Sequence, residues 1–148
     1  MKPAVVWNCP RTNMRTAIDS SVLWSVFKGE SDAEMWIELM ISARAESTLV
    51  VCEVVFAELA PLFSSSSELE ARLESLGIEF DPIQSASAFM AGEIFKEYRR
   101  QGGPRAHLIP DFLIGSHALN QAGSLAAHDR GYLRRYFPAL KILTPSQT

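Results

Sequence analysis

The sequence predicts an α/β fold built on a mainly parallel sheet covered on both faces by helices. Three observations carry that reading. Short strand-like runs alternate with helix-like patterns from Thr16 to Leu143. No two of these runs are joined by a hairpin signal. The stretch Thr48-Leu49-Val50-Val51-Cys52 is a continuous apolar run, as expected of a strand buried on both faces. This order makes neighbouring strands parallel and puts helices in the crossovers.

Taken in order, residues 1–13 stand apart. Pro3, Asn8, Pro10, Thr12 and Asn13 break any helical or strand period. Met14, just before Arg15-Thr16-Ala17-Ile18-Asp19, reads as the natural start, which leaves 1–13 as an extension and 14–148 as one domain. Thr16-Ala17-Ile18 is a strand ending at Asp19. Ser20 or Ser21 is placed to cap a helix carrying Val22, Leu23, Val26 and Phe27, broken at Lys28-Gly29-Glu30. Ser31 to Glu34 has capping-box spacing. The helix it opens runs to about Ala45, with Trp36, Leu39, Met40 and Ala43 on one stripe.

After the Thr48–Cys52 strand, Val54, Val55, Glu58, Leu59 and Leu62 keep a helical period that Pro61 should bend or end. Ser67-Glu68-Leu69-Glu70 repeats the capping-box pattern, and Gly77 closes that helix. Ile78-Glu79-Phe80 is a short strand. A long helix spans Ser85 to Arg100, with Phe89, Ile94, Phe95 and Tyr98 expected in the core. A basic loop, Gln101 to His107, leads to Ile109-Pro110-Asp111, where a helix opens and runs to about Gly123. Ser124 to Ala127 is a strand that delivers His128-Asp129. A short basic helix carries Arg130, Arg134 and Arg135. Leu140 to Leu143 is the last strand, stopped at Thr144-Pro145.

At 148 residues the chain suits one domain with a real core. With 47% apolar and 21% charged residues it is globular rather than disordered. No apolar run is long enough to span a bilayer, and Val5-Val6-Trp7 is too short for a signal-peptide core, so the expected location is cytoplasmic. Cys9 and Cys52 are too few for a metal cluster or a disulfide framework and read as free thiols. The net charge of −3 does not describe a generic nucleic-acid binder, but its distribution is uneven. Residues 1–94 carry −8 and residues 95–148 carry +5, so a phosphate-binding surface is available on the C-terminal third.

The stretch Ile109 to Gly115 organises the chemistry. Asp111 falls in a first helical turn, beside the positive end of the helix dipole. A carboxylate there is either a cap or a site, and a lone one is more often a cap. Three other acids occupy comparable junctions. Asp19 and Asp129 end strands, and Glu58 can lean back along its helix toward the same rim. Sites in parallel sheets lie beyond the carboxyl ends of the strands. Two unit charges about 4 Å apart repel by roughly 4 kcal/mol at an effective dielectric near 20. Four carboxylates on one rim therefore need protons or cations between them. Oxygen-only ligands select hard ions, Mg²⁺ or Mn²⁺, which activate water against a phosphodiester.

Four segments carry a family resemblance: Ala17-Ile18-Asp19-Ser20-Ser21-Val22-Leu23, Val54-Val55-Phe56-Ala57-Glu58-Leu59, Ile109-Pro110-Asp111-Phe112-Leu113-Ile114-Gly115 and His128-Asp129-Arg130-Gly131-Tyr132. In order and spacing they resemble the four motifs of PIN domains, most closely those of VapC-type toxins of toxin–antitoxin pairs. Arg134-Arg135-Tyr136-Phe137-Pro138 is also similar to these toxins, and the resemblance spans residues 14–145. It implies a three-layer α/β/α sandwich and a Mg²⁺- or Mn²⁺-dependent endoribonuclease. Asp19, Glu58, Asp111 and Asp129 would bind the metal and Ser21 would support the first of them. It further implies a VapB-like antitoxin and a homodimer. The fourth motif departs from the pattern. Where such toxins often carry Thr or Ser with Arg before the acid, this chain has Ala127 and His128.

Arg105, His107, His128, Arg130 and Arg134 are candidate RNA contacts, although at least half of the basic residues are ordinary surface charges. Glu53 is about 140° from Glu58 around their helix and reads as a first-turn charge. His117 is expected to pack or face solvent. Trp24 is the early-helix aromatic expected to be partly exposed, where an antitoxin segment could lie in a groove. Other classes fit less well: a non-catalytic RNA- or protein-binding module, a receiver-like Mg²⁺ switch using Lys141, and a phosphatase on Asp19, which lacks a second acid at Ser21.

Overall fold

A computed structural model describes residues 14–103, 109–128 and 131–145. Strands and helices alternate: β1 (Arg15–Ile18), α1 (Ser20–Lys28), α2 (Ala33–Arg44), β2 (Thr48–Val51), α3 (Glu53–Leu59), α4 (Ser66–Ser75), β3 (Ile78–Phe80), α5 (Ser85–Arg100), α6 (Ile109–Gln121), β4 (Gly123–Ala126), α7 (Gly131–Tyr136) and β5 (Lys141–Leu143). The five strands form one parallel sheet in the order β3-β2-β1-β4-β5, with helices on both sides. The α/β expectation therefore holds, and every pairing is parallel.

One hydrophobic core runs along both faces of the central strands. Ala17 stands between Val50 on β2 and Leu125 on β4, and all three side chains are buried. Trp36 and Met40 of α2 pack on the same core, with Leu39 and Ala43 half-buried beside them. On the other side Phe112 packs edge-on against Phe95, Tyr98 and Tyr136.

Several local expectations need correction. Asp19, not Ser20 or Ser21, caps α1; Ser20 is already helical. Ser31 does not cap α2. Asp32 occupies the cap position but makes no cap hydrogen bond; its carboxylate instead accepts from the Trp36 indole one turn further on and faces His128. The box at Ser67 lies two residues earlier, where Ser65 Oγ accepts from Glu68 N and Glu68 Oε1 accepts from Ser64 N. Phe89 is not core: it is 71% exposed, while Ser87, Ala91 and Tyr98 form the buried face of α5. Pro61 ends α3 as expected, in a 3₁₀ turn over Ala60–Leu62. Gly29 and Gly77 close their helices at φ of 66° and 74°, backbone angles that favour glycine. The extension 1–13, with Cys9, lies outside the described residues.

Candidate active site

The chain leaves β1 outward to β2 and β3, then crosses back to place β4 on the other side of β1. The reversal opens a crevice between the carboxyl ends of β1 and β4, where parallel sheets bind ligands. Asp19 follows β1 and Ala127-His128 follow β4. The two ends are stitched together by Asp19 N–H donating to Ala126 O at 2.9 Å.

Asp19 is only 4% exposed. A buried carboxylate is costly unless hydrogen-bonded. Its Oδ2 accepts from Ser21 N at 3.3 Å and from Ser21 Oγ at 2.5 Å, so the helix start orients this acid. Ser20 Oγ donates to Glu58 Oε1 at 2.6 Å. Glu58, half-buried in the last turn of α3, is thus drawn toward the residue that follows Asp19. Asp111 lies half-buried in the first turn of α6, where the helix dipole favours a negative charge.

The fourth strand end brings His128 into the crevice. Its Nδ1 lies 3.0 Å from Ser21 Oγ and its Nε2 lies 3.4 Å from Asp32 Oδ2. The Trp36 indole N–H also donates to Asp32 Oδ2, at 3.0 Å, and its ring meets the His128 ring edge-on at 5.1 Å. Desolvation pushes the Asp32 carboxyl up, but hydrogen bonds from Trp36, His128 and Ser25 outweigh it and hold the group below its ordinary 3.8.

Of the sequence-derived candidates, the structure links Asp19, Ser21 and His128 in one hydrogen-bonded chain, and Glu58 to Ser20. Arg134 is exposed on α7. Asp129, Arg130, Arg105 and His107 lie outside the described residues. Among the described residues no three of His, Cys, Asp and Glu stand together closely enough to hold a metal ion. Beside the His128 imidazole, the donors that line the crevice are carboxylate and hydroxyl oxygens, the type a hard divalent ion takes.

Ser20, Asp32 and Trp36 escaped the sequence reading. Ser20 carried a signal, as a hydroxyl directly after a strand-end acid. Asp32 lay hidden inside an apparent capping box. The other acid and histidine of note sit in a separate network. His117, 1% exposed, pairs with Asp81 at 3.0 Å, and Gln121 and Arg15 also hold Asp81. His117 therefore packs, as expected. Glu53, in the first turn of α3, accepts from Ile83 N at 2.8 Å. Trp24 is partly exposed on α1 beside Lys28.

The PIN domain family model matches residues 16–138. The sequence matches no curated protein. Solved structures give the fold independently. VapBC2 from Rickettsia felis, bound to a DNA fragment from its promoter, superposes with a TM-score of 0.68 at 17% identity, covering 88% of this chain and 98% of that one. VapBC-1 from nontypeable Haemophilus influenzae gives 0.65 at 16%, covering 88% and 98%. DNA-bound VapBC from Salmonella typhimurium gives 0.65 at 18%, covering 90% and 99%. At these identities the likeness concerns the fold.

Proposed function

The chain belongs to the PIN domain family, and from that premise we propose that it is a metal-dependent endoribonuclease, the VapC-type toxin of a type II toxin–antitoxin pair. One observation carries the proposal. Asp19 is a buried carboxylate at the switch-point crevice, oriented by Ser21, with Glu58 tied to the adjacent Ser20. A capping aspartate alone needs neither that burial nor a second acid held on the next residue.

Asp19, Glu58, Asp111 and Asp129 would hold Mg²⁺ or Mn²⁺. Bound there, such an ion polarises a phosphodiester and lowers the pKa of water. The chain's own part is to hold the acids in place. Ser21 turns the Asp19 carboxylate, Ser20 draws in Glu58, and the α6 dipole steadies Asp111 as an anion. Arg105, His107, Arg130 and Arg134 would track the RNA backbone, which the charge of +5 on residues 95–148 supports.

The partners follow from the same reading. The superposed structures are VapBC complexes, which supports a VapB-like antitoxin here, with Trp24 on its path. A homodimer and a cytoplasmic location belong to the same proposal. Among the described residues no helix is long and apolar enough to cross a membrane.

A second reading is a non-catalytic RNA- or protein-binding PIN module, which the charge of +5 on residues 95–148 would serve equally. The receiver-like alternative fares worse. Lys141 begins β5 opposite Ser124, toward the amino end of the sheet and away from Asp19. The deciding experiment compares RNA cleavage by the wild-type protein with Asp19→Asn and Asp111→Asn in Mg²⁺ or Mn²⁺. Loss of cleavage in both supports the nuclease. Undiminished cleavage in both removes it, and a wild-type protein that binds RNA without cutting favours the module.

A further inference from the structure

Ser21 has one hydroxyl proton, and that proton goes to Asp19 Oδ2 at 2.5 Å. Its oxygen can therefore only accept from His128 Nδ1, 3.0 Å away. The imidazole is itself held from outside. Nε2 faces Asp32 Oδ2 at 3.4 Å, a contact that is a hydrogen bond only in the imidazolium, since Nδ1 already carries the neutral ring's one proton, and the Trp36 ring lies against its edge. Trp36 is buried and locks the same carboxylate oxygen through its indole N–H. The result is a chain of contacts, from α2 through the β4 end to the start of α1, that terminates on Asp19, the most buried of the described acids in the crevice.

Resting on the nuclease reading, we propose that His128 is a positioning residue that acts through Ser21 to fix the orientation of the Asp19 carboxylate, with Asp32 and Trp36 setting the ring. A free hydroxyl rotates among three staggered positions. With Nδ1–H filling one lone pair, the rotor is left pointing at Asp19 Oδ2. Partners of this kind, one bond removed from an ion's ligands, change metal affinity or activity by about 10- to 100-fold when lost. The same arrangement gives the residue before Asp129 a task other than touching RNA, since both ring nitrogens already face protein atoms.

The test uses the full chain, stripped of metal. Mn²⁺ binding is titrated without RNA by following the paramagnetic signal of the free ion. His128→Phe keeps a ring but no donor, His128→Asn keeps a donor close to Nδ1, and Ser21→Ala removes the acceptor. The expected result is about tenfold weaker Mn²⁺ binding in His128→Phe and in Ser21→Ala. The double variant should be no weaker than Ser21→Ala, and His128→Asn should recover most of the loss. In cleavage assays kcat falls and KM holds. Additive losses, failure of His128→Asn to improve on His128→Phe, or an effect on KM alone overturn the proposal. Nitrogen-15 shifts of the His128 ring in the metal-free protein separate the two hypotheses. An Nδ1 signal that ignores Ser21→Ala overturns the coupling. A signal that moves, in a wild-type protein that cuts no RNA, upholds the coupling and overturns the nuclease.

Discussion

Ser20 Oγ donates to Glu58 Oε1 at 2.6 Å, and so joins the helix after β1 to the helix after β2. Hydrogen bonds to charged groups contribute about 1.5–3 kcal/mol, and more is lost when the acceptor stays half-buried. Ser20→Ala should therefore destabilise the fold by about 1.5 kcal/mol in urea titrations. If Glu58 serves the site, the same variant should lower cleavage about tenfold. A change in stability with full cleavage would make the Ser20–Glu58 bond purely structural.

Asp19 is both a helix cap and a charge, and the two roles separate by substitution. Asparagine caps helices about as well as aspartate, whereas alanine costs roughly 1 kcal/mol. Asp19→Asn should melt within a few degrees of the wild type and lose cleavage. Asp19→Ala should lose cleavage and melt lower. Paired thermal melts and RNA assays on the two variants distinguish a cap that happens to be acidic from an acid that must be charged.

How far the sequence announced this site depends on whether the relevant contact is local. The strand–helix alternation was readable because each element carries its own period, and the acids at strand ends follow from the same periods. Capping was readable only in kind. Ser65 rather than Ser67 caps α4, and Asp32 makes no cap bond, because several neighbouring residues could cap and tertiary contacts choose among them. Phe89 sits on the face of α5 away from Phe112, a choice that the helix's own apolar residues do not determine. His128 and Asp32 are 96 positions apart, and nothing in either neighbourhood foretells their meeting.

Gly115 belongs to the third motif, yet its role in the structure is space. A Cβ placed there would stand 2.6 Å from Cε2 and Cζ of Phe137. Phe137 is 1% exposed and packs on Phe112, so its ring has nowhere to retreat. Overpacking of this kind costs about 1–3 kcal/mol. Gly115→Ala should lower the urea midpoint accordingly. Gly92, whose Cβ would meet nothing within 4 Å, is the control. Gly92→Ala, on the exposed face of α5, should be neutral or stabilising by up to about 1 kcal/mol.

The buried thiol of Cys52 should report unfolding. It is 1% exposed at the end of β2, and desolvation raises its pKa above the ordinary 9.0 despite N–H groups of Val54 and Val55 that favour the thiolate. The thiolate is the reactive form, so at pH 8 alkylation of the folded protein should be slow and limited by opening. Site-resolved mass spectrometry after iodoacetamide should show Cys52 labelled only as denaturant approaches the unfolding midpoint. Rapid labelling in buffer would mean that the β2 end opens freely.

Asp32 gives the chain an acid-side signature with a definite sign. Its carboxyl is held below the ordinary 3.8 because the hydrogen bonds from Trp36, His128 and Ser25 outweigh desolvation. The native state thus binds this proton less readily than the unfolded chain does. The stabilisation is in full force above the unfolded value, and it is lost as pH falls through the lower folded one. Asp32→Asn removes the charge, so the variant should melt below the wild type at pH 6. The gap should narrow steadily from about pH 4 downward, as the wild-type carboxyl takes up its proton. Thermal melts of both proteins between pH 6 and pH 2.5 measure that gap directly. A gap that stayed constant with pH would show that Asp32 acts by shape and neutral hydrogen bonding. The contact from α2 to His128 would then not depend on its charge.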